Sequence, residues 1–122
     1  MPNQNIALTG ELNREISRTV TAIYKDYLGR GPTTTRTTIT PDMVVCVLED
    51  SLTKAEQTLI ANGGATSVRN MRREFQDAMR TEITQAVERL TGRKAKKLLS
   101  DHSPSPDVAV ETVLLEPLED RA

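Results

Sequence analysis

Arginines beside glycine turns are the residues of this chain best placed to do chemistry. Arg69, Arg72 and Arg73 follow Asn62-Gly63-Gly64 and Thr66-Ser67, where a long amphipathic stretch begins. The first N–H groups of a helix lack partners and its dipole is positive there, so a phosphate, carboxylate or bicarbonate is favoured. Arginines at that end oppose the dipole and gain from an anion held between them. Arg30 stands between Gly29 and Gly31, where the backbone can approach a ligand closely and a guanidinium can grip it in a fork. A plainer account fits the same residues: Thr66 or Ser67 caps the helix, Arg73 pairs with Asp77, and the other arginines are solvated. The Gly-x4-Gly-Lys-Ser/Thr spacing of a phosphate loop is missing.

Other reactive types occur singly. His102 is the sole histidine and Cys46 the sole cysteine, so neither a histidine–cysteine metal motif nor an intrachain disulfide can be written. Cys46 reads as a small buried hydrophobe. Asp101-His102 with Ser100 or Ser103 suggests a hydrolytic triad, but neighbours in sequence seldom have triad geometry. Glu49, Asp50, Glu74, Asp77 and Glu82 read as solvated carboxylates. No catalytic residue, metal or cofactor is expected.

Composition narrows the classes further. With 122 residues the chain makes one domain, and 16 basic against 17 acidic residues leave a net charge of -1. That balance argues against nucleic-acid binding, as do only three aromatics, Tyr24, Tyr27 and Phe75. No run approaches the ~20 apolar residues of a membrane span, and Met1–Thr9 lacks the basic start and apolar run of a leader. A cytoplasmic place is expected.

The elements that must position these residues centre on Met43–Leu48. Six consecutive apolar residues make a strand with no wet side, one that needs cover above and below or in an oligomer interface. Leu12, Ile16, Val20, Ile23 and Tyr27 stripe a helix that begins near Thr9 and stops at Gly29. Thr33–Thr40 gives a thin strand at the sheet edge, joined to the inner one by Pro41-Asp42. Thr53 and Glu56 form a capping box for a short helix closed by Gly63-Gly64. Val68, Met71, Phe75, Met79, Ile83, Val87 and Leu90 stripe a second long helix, stopped at Gly92. Lysines mark Arg93–Asp101 as an edge strand, residues 102–106 read as a loop, and Val108–Leu115 is a final strand. The order α-β-β-α-α-β-β predicts an α+β fold, a mainly antiparallel four-stranded sheet packed by two long helices and one short helix. Residues 9–116 form the domain, between a disordered tail at 1–8 and a loose acidic tail at 117–122.

Several blocks in this order resemble one known family. Gly29-Arg30-Gly31-Pro32 leads to Asp42-Met43-Val44-Val45; then come Leu52-Thr53-x-x-Glu56-x-x-Leu59, Val68-Arg69-x-x-Arg72, Thr91-Gly92-Arg93 and Ser100-Asp101 with Asp107. Over roughly residues 10–116 the chain resembles the bacterial domain named after MpsC, a component of a Na+-translocating membrane-potential-generating system. The resemblance implies an accessory or regulatory subunit without chemistry of its own. It also implies partners: a membrane transport subunit and a carbonic-anhydrase-like subunit, in a system that accumulates bicarbonate or CO2. A place peripheral to the inner face of the cell membrane follows. Gly29, Arg30, Gly31, Pro32, Thr53, Glu56, Arg69, Arg72, Gly92 and Asp101 match by motif, and only Arg30, Arg69 and Arg72 exceed a structural explanation. The leading expectation is a non-enzymatic docking protein, a homodimer because its sheet needs more cover. The alternative is a sensor of a small anion or nucleotide, bound by Arg30 and the Arg69/Arg72 helix start.

Overall fold

The computed structural model describes residues 2–118. The elements follow the expected order: α1 (Pro2–Leu28), β1 (Thr34–Ile39), β2 (Met43–Glu49), α2 (Lys54–Ala61), α3 (Ala65–Thr91), β3 (Ala95–Pro104) and β4 (Asp107–Leu115). The strands form one antiparallel sheet in the order β1-β2-β4-β3. The valine-rich β2 is therefore internal, with the threonine-rich β1 at one edge and the lysine-bearing β3 at the other. Strands that lack large apolar side chains lose least at an edge, where one flank is already wet.

The two long helices lie against one face of this sheet. Ile16, Val20, Ile23 and Tyr24 of α1 and Met79, Ile83, Ala86 and Val87 of α3 close over Val44, Cys46, Leu48, Leu98, Ala109, Val113 and Leu115. Burying apolar surface at roughly 25 cal/mol per Å2 makes this aliphatic layer the main source of stability. At the edge the thin strand is tied to α1 by hydroxyl pairs, Ser17 with Thr37 and Thr21 with Thr35, both 2.7 Å apart. Tyr27 reaches across to Glu82 and links α1 to α3.

β2 was expected to be covered on both faces or in an interface. Within the chain only one face is covered: Val44, Cys46 and Leu48 are buried, whereas Met43, Val45 and Val47 are part-exposed on the other. The sheet has a single helical layer.

Boundaries differ at three places. α1 starts at Pro2, so it takes in the segment expected as a disordered tail, and Thr9 is inside it. Proline suits a first helical turn, and the helix continues through Gly10 into the amphipathic stripe. α3 begins at Ala65 with Gly64 as N-cap and no side-chain cap, rather than at Thr66 or Ser67. β3 runs on through His102 to Pro104, because the hairpin needs only Ser105-Pro106 and His102 pairs in register with Ala109. The stops at Gly29 and Gly92 occur as expected, each with the positive φ that glycine tolerates. Of the acidic tail, residues 119–122 lie outside the described residues.

Candidate functional site

Two of the nominated arginines meet at one loop, Asp50-Ser51-Leu52, between β2 and α2. Arg72, on the sheet-facing side of α3, is only 1% exposed. Its Nε and Nη2 donate to the two Glu56 carboxylate oxygens at 2.7 and 2.9 Å, and its Nη1 and Nη2 to the Ser51 hydroxyl and carbonyl at 3.0 and 2.7 Å. Glu56 also accepts the Thr53 backbone N–H at 2.8 Å, while Thr53 Oγ1 accepts the Glu56 N–H at 3.2 Å. The expected capping box is present, and its carboxylate doubles as the buried partner of Arg72. Burial pushes the Glu56 carboxyl up, but the Arg72 and Thr53 hydrogen bonds outweigh it and hold the group below its usual range.

Arg30 approaches the same loop from the other side. It donates to the Leu52 carbonyl and, at 3.2 Å, to Asp50, which also accepts the Thr33 hydroxyl. The Thr33 hydroxyl and then Arg30 hold the Asp50 carboxyl low. Asp107 completes the clamp: its Oδ2 accepts the Leu52 N–H at 2.9 Å, and its carbonyl accepts the Asp50 N–H at 3.2 Å.

The anion site expected between Arg30 and the start of α3 is therefore not assembled. Arg30 and Arg72 are turned onto protein acceptors, because the helical stripe that buries Val68 also points Arg72 inward at Glu56. Arg69 and Arg73 remain exposed on the outer side of α3. Asp77, expected to pair with Arg73, pairs instead with Arg80 at 2.7 Å.

The Asp101-His102 arrangement also separates. Successive residues of a strand face opposite ways. Asp101 is exposed on the uncovered face, whereas His102 is buried and places Nε2 3.2 Å from Asp107 Oδ1, with Nδ1 unpartnered. Burial lowers the His102 pKa, and Asp107 offsets part of that. Ser100 turns to a different carboxylate.

That carboxylate, Glu111, is the centre of a polar cluster beneath the helices that sequence reasoning missed. It is 1% exposed and accepts from Tyr24 at 2.5 Å, from Gln76 at 3.3 Å and from Ser100. Gln76 also donates to the Asp101 carbonyl at 3.0 Å. Burial pushes the Glu111 carboxyl up to about 7, against the pull of these three donors. Burial and the neighbouring Glu111 raise the Tyr24 phenol. A signal was present: Glu111 interrupts the inward row Ala109, Val113, Leu115, and Arg72 and Gln76 interrupt the inward row of α3.

The uncovered sheet face is apolar at its centre. Across the register, Met43 stands beside Leu114 and Lys97; Val45 beside Thr112 and Leu99; Val47 beside Val110, flanked by Arg36 and Asp101. Leu99 is 52% exposed. On the opposite side, a groove of about 460 Å3 between α1 and β1 carries Arg14 and Arg18, but Arg18 pairs with Glu15.

The model of the family described as "Na+-translocating membrane potential-generating system (MpsC)" matches residues 8–117, which span every feature above except the first turns of α1. The chain belongs to the MpsC family. A relative from Bacillus subtilis (strain 168), "Uncharacterized protein YbcI", is 33% identical over 95 residues, covering 77% of this chain and 77% of that protein. No solved structure matches. In this MpsC-family chain no described helix is long and apolar enough to cross a membrane. Among the described residues, no group of three His, Cys, Asp or Glu side chains gathers to hold a metal ion.

Proposed function

We propose that this MpsC-family protein is a non-enzymatic accessory or regulatory subunit of a membrane cation-transport system, acting by protein–protein docking. The observation that carries this reading is the uncovered sheet face, where Met43, Val45, Val47, Leu99, Val110 and Leu114 form an apolar surface of the kind that marks interaction sites. The family description supports the association with a Na+-translocating system. The resemblance adds a finer reading: a bicarbonate- or CO2-accumulating system with a carbonic-anhydrase-like partner, and a cytoplasmic place at the inner face of the membrane. Arg69 and Arg73, exposed at the start of α3, are the cations available to acidic side chains of a membrane subunit. The rigid Arg72–Glu56 and Arg30–Leu52 clamps would hold that helix end in a fixed pose.

The experiment is affinity capture by the tagged full chain from its native membrane fraction, with partners identified by mass spectrometry. A membrane-spanning cation-transport subunit should be enriched, and much less so by the Arg69→Glu/Arg73→Glu variant. Enrichment of no such subunit overturns the reading.

A further inference from the structure

We propose that a second copy of this chain covers the open sheet face, the two sheets stacked about a two-fold axis parallel to their strands so that Arg36 of each copy meets Asp101 of the other. The inference rests on reading this face as a protein interface and assigns it to self-association, which leaves the exposed Arg69 and Arg73, on the helical side of the molecule, for a membrane subunit.

The face is built for a protein rather than for solvent. β2 and β4 contribute Met43, Val45, Val47, Val108, Val110 and Leu114 in adjacent columns, with Thr112 among them and Leu99 beside it on β3. Charged and hydroxyl side chains stand at the two edges: Thr34, Arg36 and Thr38 on β1, Lys97 and Asp101 on β3. An apolar centre inside a polar rim is the usual anatomy of a specific interface. Four strands about 4.8 Å apart, three with four same-face residues and β1 with three, about 6.8 Å apart along each strand, give roughly 500 Å2 of sheet per copy. A stacked pair then covers about 1,000 Å2, the lower bound for a specific interface.

The rim selects the occupant. Arg36, Val47, Val110 and Asp101 lie in one row across the sheet, with opposite charges at its two ends. A two-fold axis along the strands lays β1 of one copy over β3 of the other at the same height. The row then meets its own reverse: Arg36 over Asp101, Val47 over Val110, Val110 over Val47, Asp101 over Arg36. In the neighbouring rows Val45 falls over Thr112 and Met43 over Leu114. The twist of aligned sheets, about 30° between them, moves the row ends by only a few ångströms, within reach of an arginine. Glu49, at the end of β2, keeps its 3.5 Å contact with Arg36 at the rim. Asp101 makes no ion pair among the described residues; its Oδ1 accepts only the His102 N–H at 2.8 Å. A two-fold axis across the strands would instead lay β1 over β1 and β3 over β3, so Arg36 would face only β1 and the partner of Asp101 would be Lys97; the charge swap below separates the two arrangements. An anionic lipid surface would favour an all-basic rim, whereas this one carries Glu49 and Asp101 as well as Arg36 and Lys97.

The test is light scattering on size-separated full-length chain at tens of micromolar, with far-UV circular dichroism to check folding. Wild type should have the mass of two copies, twice 13.5 kDa. Val45→Lys, whose side chain falls at the centre of the face, should be a folded monomer. Arg36→Asp and Asp101→Arg should each weaken association roughly tenfold or more, since each reversal sets two like-charged pairs together. The double swap Arg36→Asp/Asp101→Arg should restore it. A monomeric wild type, a dimer indifferent to Val45→Lys, or a double swap no better than either single reversal overturns the arrangement. A dimer that captures no membrane subunit leaves this inference standing and removes the functional one; a monomer that captures such a subunit does the reverse.

Discussion

A carboxyl buried under two helices must either face a cation or be able to keep its proton, and Glu56 and Glu111 take one course each. Glu56 is ionised against Arg72, and removing one partner of such a pair typically costs about 3–5 kcal/mol because the other is left buried and alone. Glu111 has hydroxyl and amide donors but no cation bonded to it, so burial lifts its pKa from 4.5 to about 7. Between these values the folded protein holds a proton that the unfolded chain has released. The Glu111 contribution to stability is therefore greatest below about 4.5 and declines as pH rises to about 7. Glu56 acts in the opposite sense: its lowered pKa stabilises above the usual carboxylate range and that gain is lost on acidification. Glu111→Gln should leave the acid limb in place and flatten the decline toward neutral pH. Urea titrations of both proteins between pH 4.5 and 7 check this, and an unchanged slope would show that Glu111 does not titrate there.

At the scale of elements, the joint between α2 and α3 is closely packed. Gly64 has an ordinary φ of -95°, so its glycine is not explained by a left-handed turn. A Cβ there would instead stand 2.8 Å from the Leu59 carbonyl oxygen, the same oxygen that accepts the Gly64 N–H at 2.7 Å. Gly64→Ala should force the two helices apart and destabilise the protein by about 1–3 kcal/mol in chemical denaturation. Gly63→Ala meets no neighbour but is strained by a φ of 85°, and should cost less. The joint was half legible. Gly63-Gly64 announced a helix stop, and Thr53 with Glu56 announced a start, since both are local patterns set by backbone hydrogen bonding. That Glu56 would also receive Arg72 from the next helix was not legible, because residues 16 apart in sequence meet only after both helices have docked.

For the whole molecule, the single helical layer leaves one face of the sheet bare. If two copies share the open face, dissociation accompanies unfolding and the melting temperature rises with protein concentration. Calorimetry or fluorescence melts over a hundredfold range should show that rise in wild type and none in Val45→Lys. A concentration-independent wild-type melt would mean that the face is not closed by self-association.

The sequence alone determined the succession of helices and strands, the internal place of Met43–Leu48, the edge character of the threonine and lysine strands, and the caps at Gly29, Thr53 and Gly92. All of these follow from periodicity and turn chemistry within a few residues, where side-chain spacing and backbone preference act directly. Only the tertiary structure decided that Arg30 and Arg72 grip one loop instead of an anion, that Glu111, Tyr24, Gln76 and Ser100 share a buried cluster, and that one face of the sheet is left bare. Each depends on which residues face each other across packed layers, and that is fixed by strand register and helix docking, quantities that no local pattern encodes.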